Sequence, residues 1–142
     1  MKPKILLRSA SIIMLLHCMG HTMGHLKWKQ PTDPVQREVV KQMTTHPSPF
    51  MGAIHTVGEY YDGYGFATTL ALLLIAAILW IASAVDTKNL AMVRKILVVM
   101  TVILFAWGVD ELIFFFPFAA AFSLLSMLLC VFAILNLKKV SQ

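Results

Sequence analysis

The residues of this sequence that could carry chemistry are histidines and carboxylates, and they recur in three stretches. Three histidines spaced by four residues lie in the first apolar segment, and two adjacent acids end the third. A polar segment between them adds another histidine and two more acids. The eight side chains are His17, His21, His25, Asp110, Glu111, His55, Glu59 and Asp62. Residues three or four apart share a face of an α-helix, so the three histidines of the first segment form one stripe, and the polar segment predicts a second shared face if it is helical.

Three kinds of site fit these side chains, and the sequence leaves them open. The first is structural, with imidazole–carboxylate pairs that hold helices together near the headgroup region. The second is a transition-metal or haem site, because histidines at i and i+4 with carboxylates on a neighbouring helix are ligands for zinc, iron or copper. The third is a proton or ligand site that would take a lipid, a quinone or another small amphiphile.

Whether the protein is an enzyme stays open for the same reason. A metal- or haem-dependent membrane oxidoreductase or hydrolase is the alternative to a structural or ligand-binding role. The stripe that starts at His17 lacks the glutamate that follows the first histidine in zinc peptidases. Cys18 and Cys130 form neither a C-x-x-C pair nor a zinc-ligand spacing. Trp107 is interpreted as an anchor at the membrane interface and Ser123 as a packing residue.

The elements that must position these side chains are membrane helices, according to the composition. Hydrophobic residues make up 58% of the 142 residues and charged residues 13%, with a mean hydropathy of +0.76. Soluble domains carry about 25% charged residues, and a domain of this size could not bury so much apolar surface in water. The basic residues behind the net charge of +5 flank apolar segments and form no stripe with aromatic residues. We therefore expect a lipid bilayer, and no nucleic acid, as the partner.

Four apolar segments predict an all-α integral membrane protein, a four-transmembrane-helix bundle with a short extracytoplasmic amphipathic helix. The whole chain, 1–142, is predicted to form a single membrane domain. The predicted spans are about 5–26, 66–85, 90–116 and 118–137. Each is long enough for a hydrocarbon core of about 30 Å.

The predicted outer loop, 27–65, contains the amphipathic helix. Asp33 is the expected N-cap and Pro34 the first helical residue, and apolar residues follow at near-helical spacing. Such a helix is expected to lie on the membrane surface. A second short helix is predicted from about Phe50 to Asp62.

Basic residues mark one side of the predicted bundle. They lie before the first span, around a predicted polar turn at 86–89, and after the fourth span: Lys2, Lys4, Arg8, Lys88, Arg94, Lys95, Lys138 and Lys139. The positive and negative charges of the loop 27–65 cancel, so the loop is neutral. The positive-inside rule therefore predicts a protein of the cytoplasmic (inner) membrane, with both termini in the cytoplasm and the loop outside. In this topology the eight histidines and acids collect at the outer side.

Contacts between helices are predicted as well. Gly20 and Gly24 form a G-x-x-x-G pattern beside the histidines, which would let another helix approach closely. We expect one of the histidines to contact Asp110 or Glu111, because such a pair lowers the cost of burying either group. Small residues on the helix surfaces leave a homo-oligomer open.

Three stretches carry a resemblance to a known kind of protein: 20–25 (G-H-T-M-G-H), 59–65 (E-Y-Y-D-G-Y-G) and 107–111 (W-G-V-D-E). In the order of these features the chain resembles small four-span inner-membrane proteins of bacteria, and the likeness covers nearly the whole chain. This resemblance implies a bacterial membrane bundle and carries no assigned activity. The architecture is also similar to that of thiol-oxidising quinone enzymes, but the paired cysteines of those enzymes are missing.

Overall fold

The structure, a computed structural model, describes residues 2–84 and 89–140, with the side chains of 138–140 left out. Within this part of the chain the elements follow in the order α1 (Pro3–Lys27), α2 (Pro34–Thr45), β1 (Pro47–Phe50), β2 (Ala53–Thr56), α3 (Val57–Ser83), α4 (Leu90–Phe114) and α5 (Pro117–Val140). They divide between two compact units. One unit combines the residues up to Cys18 with those from Leu72 onward, and the other comprises Met19–Ala71.

Four helices, α1, α3, α4 and α5, are long and apolar enough to cross a membrane, which suggests a multi-pass membrane protein. The predicted spans 5–26, 90–116 and 118–137 agree with α1, α4 and α5 to within three residues at each end. The second predicted span, from 66 onward, lies on α3, and this helix begins nine residues earlier, at residue 57. Residues 85–88, which include the end of that span and most of the predicted polar turn, lie outside the described residues.

An apolar stripe along α4 forms the centre of the first unit. The buried residues of α4 recur every three or four positions: Val93, Leu97, Met100, Leu104, Gly108 and Glu111. This spacing keeps one face of the helix against its neighbours. The other helices of the unit contribute fully buried residues, including Leu7, Met14, Leu79 and Cys130. Large apolar side chains such as Val102, at 63% exposure, face outward, as expected where lipid covers the surface.

Two serines connect α1 to its neighbours inside this core. Ser11 donates its hydroxyl hydrogen to the carbonyl oxygen of Ala76 on α3, with an oxygen–oxygen distance of 2.7 Å. Ser126 on α5 donates to the carbonyl oxygen of Ala10 at 3.4 Å. Both serines are buried, and hydrogen bonds of this kind join helices where no water is present.

The amphipathic helix expected in the loop is confirmed as α2. The Asp33 carboxylate accepts a hydrogen bond of 2.9 Å from the backbone N–H of Gln36, and Pro34 occupies the first turn. The helix ends at Thr45, before the sequence His46-Pro47, because proline disfavours the helical conformation in the residue that precedes it. None of the residues of α2 is buried.

The second short helix predicted from about Phe50 to Asp62 is wrong for residues 50–56, while residues 57–62 are helical as the start of α3. Residues 47–56 form an antiparallel hairpin in which β1 pairs with β2 and Phe50 lies opposite Ala53. Met51 and Gly52 make a two-residue turn with φ angles of 49° and 86°. Positive φ at both positions matches the twist of the strands on either side.

The sequence interpretation missed a helix start at Thr56, and for this reason it placed the beginning of the helix too early. The backbone N–H of Thr56 donates to Oε2 of Glu59 at 2.7 Å, and the N–H of Glu59 donates to Oγ1 of Thr56 at 3.1 Å. This reciprocal pair is a capping box. It fixes Val57 as the first helical residue, so the residues before it are free to form the hairpin.

Candidate functional site

The eight side chains predicted to form a site are shared between the two compact units. His17, Asp110 and Glu111 belong to the unit built around α4. The other five belong to the unit that comprises Met19–Ala71: His21, His25, His55, Glu59 and Asp62. Each set makes its own contacts within its unit.

A buried histidine–glutamate pair is the main polar feature of the first unit. Nε2 of His17 lies 3.0 Å from Oε1 of Glu111, and the two side chains are 8% and 6% exposed. The expected contact between a histidine of the first helix and an acid of the third span is therefore confirmed, with Glu111 as the acid. Asp110 is exposed and has no partner among the described residues.

The periodicity of the buried face of α4 determines which of the two acids is buried. Glu111 continues the buried stripe three residues after Gly108. Asp110 precedes it by one residue, which is a rotation of about 100° around the helix axis. That rotation turns the Asp110 side chain out of the bundle and leaves Glu111 inside it.

Two further donors complete the surroundings of Glu111. Nε1–H of Trp107, one turn earlier on α4, donates to Oε1 at 3.0 Å, a structural role that the sequence interpretation did not give this indole. The hydroxyl of Ser123 on α5 donates to Oε2 at 2.7 Å, and its oxygen lies 3.5 Å from Nδ1 of His17. The Phe122 ring stacks on the imidazole with 5.4 Å between centroids.

This arrangement makes Glu111 the acceptor for donors from three helices, α1, α4 and α5. In the described part of the chain, every buried side-chain nitrogen or oxygen atom has a hydrogen-bond partner. A lone carboxylate at this depth would cost several kcal/mol, and an adjacent imidazolium compensates its charge. A proton between Nε2 of His17 and Oε1 of Glu111 would have an acceptor atom on either side of this 3.0 Å contact.

Asp62 is the polar centre of the second unit. Its Oδ1 accepts a hydrogen bond of 2.7 Å from Nε1–H of Trp28, and its Oδ2 accepts one from Nζ of Lys29. Nε2 of His25 lies 3.9 Å from Oδ1. These contacts hold the C-terminal end of α1 against the second turn of α3. Sequence reasoning identified Asp62 and His25 but treated Trp28 and Lys29 only as interface residues.

His25 itself is enclosed mainly by aromatic rings. It is 7% exposed, and its ring centroid lies 5.1 Å from that of Phe66 and 6.0 Å from that of Tyr61. Nε2–H of His21, one turn earlier, donates to the carbonyl oxygen of Gly65 at 3.1 Å. These two histidines therefore pack against α3, and each has a structural role.

The close approach of α1 to α3 occurs at Gly65. A Cβ atom added to Gly65 would overlap the imidazole ring of His25. The glycines expected to provide such a contact, Gly20 and Gly24, are exposed, and no other part of the described chain comes within 4 Å of an added Cβ. Gly24 precedes His25 by one residue and so faces about 100° away from the buried side of α1.

His55 lies on β2 and not on a helix, so the predicted helical face shared with Glu59 and Asp62 is wrong. It still contacts Glu59, with 3.4 Å between Nδ1 and Oε2, and the two side chains are 50% and 58% exposed. The Tyr60 ring packs against His55 with 5.6 Å between centroids. An ion pair with this exposure contributes little free energy.

The described residues do not bring together the ligand set that the transition-metal alternative requires. Among residues 2–84 and 89–140, no three or more His, Cys, Asp or Glu side chains converge in a way that could hold a metal ion. Around Glu111 the neighbours are one histidine, a serine and an indole, and the last of these has no lone pair for a metal.

We predict that Gly65→Ala destabilises the protein, whereas Gly63→Ala does not. The new methyl group at position 65 must displace the His25 ring, and overpacking of this kind costs about 1–3 kcal/mol. Gly63, two residues earlier on the same helix, has open space around an added Cβ. There the change should stabilise the helix by up to about 1 kcal/mol, because alanine is the better helix former.

Thermal unfolding of both variants in the same detergent measures this difference. The midpoint for Gly65→Ala should lie below that of the wild type, and the midpoint for Gly63→Ala at or above it. Equal midpoints for the two variants would contradict the close approach of α1 and α3 at Gly65.

Comparisons of the chain with models of protein families, with curated proteins and with solved structures find no match. The resemblance to four-span bacterial membrane proteins therefore stays a prediction. Function must be inferred from the geometry of the described residues.

Proposed function

We propose that this chain is a multi-pass membrane protein whose functional element is a proton-binding site formed by His17 and Glu111. The observation that carries this proposal is their buried 3.0 Å contact, which lies within three helices able to span a membrane. Histidine changes its charge near neutral pH, and a carboxylate beside it offers a second position for the same proton. The ligand is then the proton.

A purely structural role accounts less well for the choice of residues. Buried ion pairs are often no more stabilising than apolar residues of the same volume. Ionisable groups inside membrane segments cost on the order of 3 kcal/mol each on insertion scales, and they commonly mark proton or ion sites. Ser11 and Ser126 show that this bundle joins its helices with neutral hydrogen bonds elsewhere.

The depth of the site supports exchange of protons with water. Glu111 lies three residues, about 4.5 Å along the axis, before Phe114, the last residue of α4. Ser123 is two turns into α5, which begins at Pro117. The pair is therefore near the connection between these two helices, where a span meets the membrane boundary.

The number of protons at the site determines its charge. With two protons, the pair is an imidazolium with a carboxylate, or an imidazole with a carboxylic acid, and both forms are neutral. Adding a third proton to the neutral pair leaves a buried positive charge. Removing one of its two protons leaves a buried negative charge. Either change weakens the contact that joins α1 to α4 and α5, because an uncompensated charge in an apolar bundle is costly.

The matched variants Glu111→Gln and Asp110→Asn test the proposal. Infrared spectra of the protein in liposomes, recorded over a range of pH, show protonated carboxyl groups by their C=O stretching band. We expect a pH-dependent carboxyl band that Glu111→Gln removes and Asp110→Asn retains, because only Glu111 faces His17. Nitrogen-15 spectra of labelled histidine should show a change in the His17 ring over the same range.

A purely structural pair gives a different result. Glu111→Gln would then lower the thermal midpoint, but the wild type would show neither a titrating carboxyl band from Glu111 nor a change at the His17 ring. That outcome would exclude proton binding as the function of the site.

We further propose that the protein lies in the cytoplasmic membrane of a bacterium with both termini in the cytoplasm. Four candidate spans are an even number, so a chain that crosses at each one has both termini on the same side. Basic residues near the start of α1 and α4 support the cytoplasm as that side, including Lys4, Arg8, Arg94 and Lys95. The loop that carries α2 then lies outside.

Reporter fusions test this topology. An enzyme that is active only in the cytoplasm should be active when fused after Gln142 and inactive when inserted after Gln30, between α1 and α2. An enzyme active only in the periplasm should give the opposite pattern. Activity of the periplasmic reporter after Gln142 would contradict the proposed orientation.

A further inference from the structure

The hairpin formed by β1 and β2 presents an apolar tip, which we define as Phe50, Met51 and Ile54. These three side chains are 61%, 90% and 71% exposed. No charged residue occurs between Pro47 and Ile54. A two-stranded hairpin in water is marginally stable by itself, and exposed apolar side chains add to the cost. An apolar environment around the tip would remove this cost.

Two prolines shape the outer edge of β1. In the observed register, Phe50 and Ser48 lie opposite Ala53 and His55, while Pro47 and Pro49 occupy the alternating positions. Proline has no N–H, so the N–H groups of this strand that bond to β2 must come from Ser48 and Phe50. The edge that faces away from β2 consequently has no N–H donor at either proline.

This edge suits an apolar environment and resists another protein strand. Backbone N–H and C=O groups without partners are the obstacle to placing a β-strand in lipid, and each proline removes one such N–H group. The same feature prevents a strand from a second chain from completing a hydrogen-bonded ladder along β1. The absence of charge in this segment gives a protein partner no electrostatic complement either.

The base of the hairpin is fixed to a helix able to span a membrane. Thr56, at the base, caps α3 through Glu59, and Phe50, at the tip, meets the Tyr60 ring edge-on with 6.4 Å between centroids. Tyr60 and Tyr64 lie in the first turns of α3, and tyrosine prefers the headgroup region. A four-residue strand reaches about 14 Å, more than the roughly 6 Å thickness of one headgroup layer.

From these observations we infer that the hairpin tip inserts into the lipid of the outer leaflet. This inference rests on the proposed membrane location. The apolar side of α2, with Val35 at 72% and Val39 at 52% exposure, provides a second contact with the same surface. The tip would contact lipid where the headgroups meet the acyl chains. Together with α2, it would attach the loop between α1 and α3 to the membrane.

Spin labels at three positions test this inference. A nitroxide is attached to Met51→Cys, to Val102→Cys or to Lys41→Cys, each in a background that carries Cys18→Ala and Cys130→Ala. The protein is reconstituted in liposomes of phosphatidylethanolamine and phosphatidylglycerol. Power saturation then compares collisions of each label with oxygen, which concentrates in lipid, and with a water-soluble nickel chelate.

Val102 on α4 provides the lipid reference and Lys41 on α2, 70% exposed, the water reference. The ratio of oxygen to nickel collisions at position 51 should be several-fold higher than at position 41 and approach that at position 102. A water-like ratio at 51 with a lipid-like ratio at 102 overturns the inference and leaves the proposed membrane location intact. Water-like ratios at all three positions overturn the membrane location itself.

A second copy of the chain is the remaining occupant. In that case the label at position 51 would be shielded from both reagents and would show dipolar broadening. The broadening would disappear on dilution with unlabelled protein. This result also overturns the inference.

Discussion

A carboxylate can remain inside an apolar bundle only where donors surround it, and the position of Glu111 therefore constrains how α1, α4 and α5 meet. The imidazole must come from α1 at His17, the hydroxyl from α5 at Ser123 and the indole from Trp107 one turn earlier on the same helix. A change of one residue in the register of any of these helices would separate a donor from its acceptor. The apolar side chains provide most of the burial, but this polar contact selects one packing among the many that apolar faces allow.

The second unit depends on a similar constraint at its own acid. Asp62 brings together the end of α1 and the start of α3 through Trp28 and Lys29, and Gly65 gives the His25 ring room to lie against the helix. In each unit a single carboxylate from one helix organises side chains of another. The shared feature is the low exposure of the histidine of α1 beside each acid, 8% for His17 and 4% for His25.

The four long helices could be predicted from the sequence because length and apolar composition suffice to identify them. The burial of Glu111 rather than Asp110 could also have been predicted, because Glu111 continues the buried spacing of α4: Val93, Leu97, Met100, Leu104 and Gly108. Thr56 and Glu59 carried the T-x-x-E pattern of a helix start, which would have placed the beginning of α3 correctly.

Other features could not be read from local patterns. The turn at Met51 and Gly52 lacks the Asn-Gly or Asp-Gly sequence that usually marks a two-residue hairpin. The partners of His17 and His25 are 94 and 37 residues away along the chain, at Glu111 and Asp62. Such pairs depend on the relative rotation of separate helices, which periodicity within one helix does not determine.

The length of α3 has a mechanical consequence. Its 27 residues extend about 40 Å, whereas the hydrocarbon core of a bilayer is about 30 Å thick. A helix with this excess tilts, or extends beyond the core, to a degree set by bilayer thickness. Thr56 joins Val57 with no intervening linker, and the capping box fixes the angle between hairpin and helix. If α3 crosses a bilayer, a change in bilayer thickness that tilts the start of the helix would therefore also turn the hairpin that precedes it.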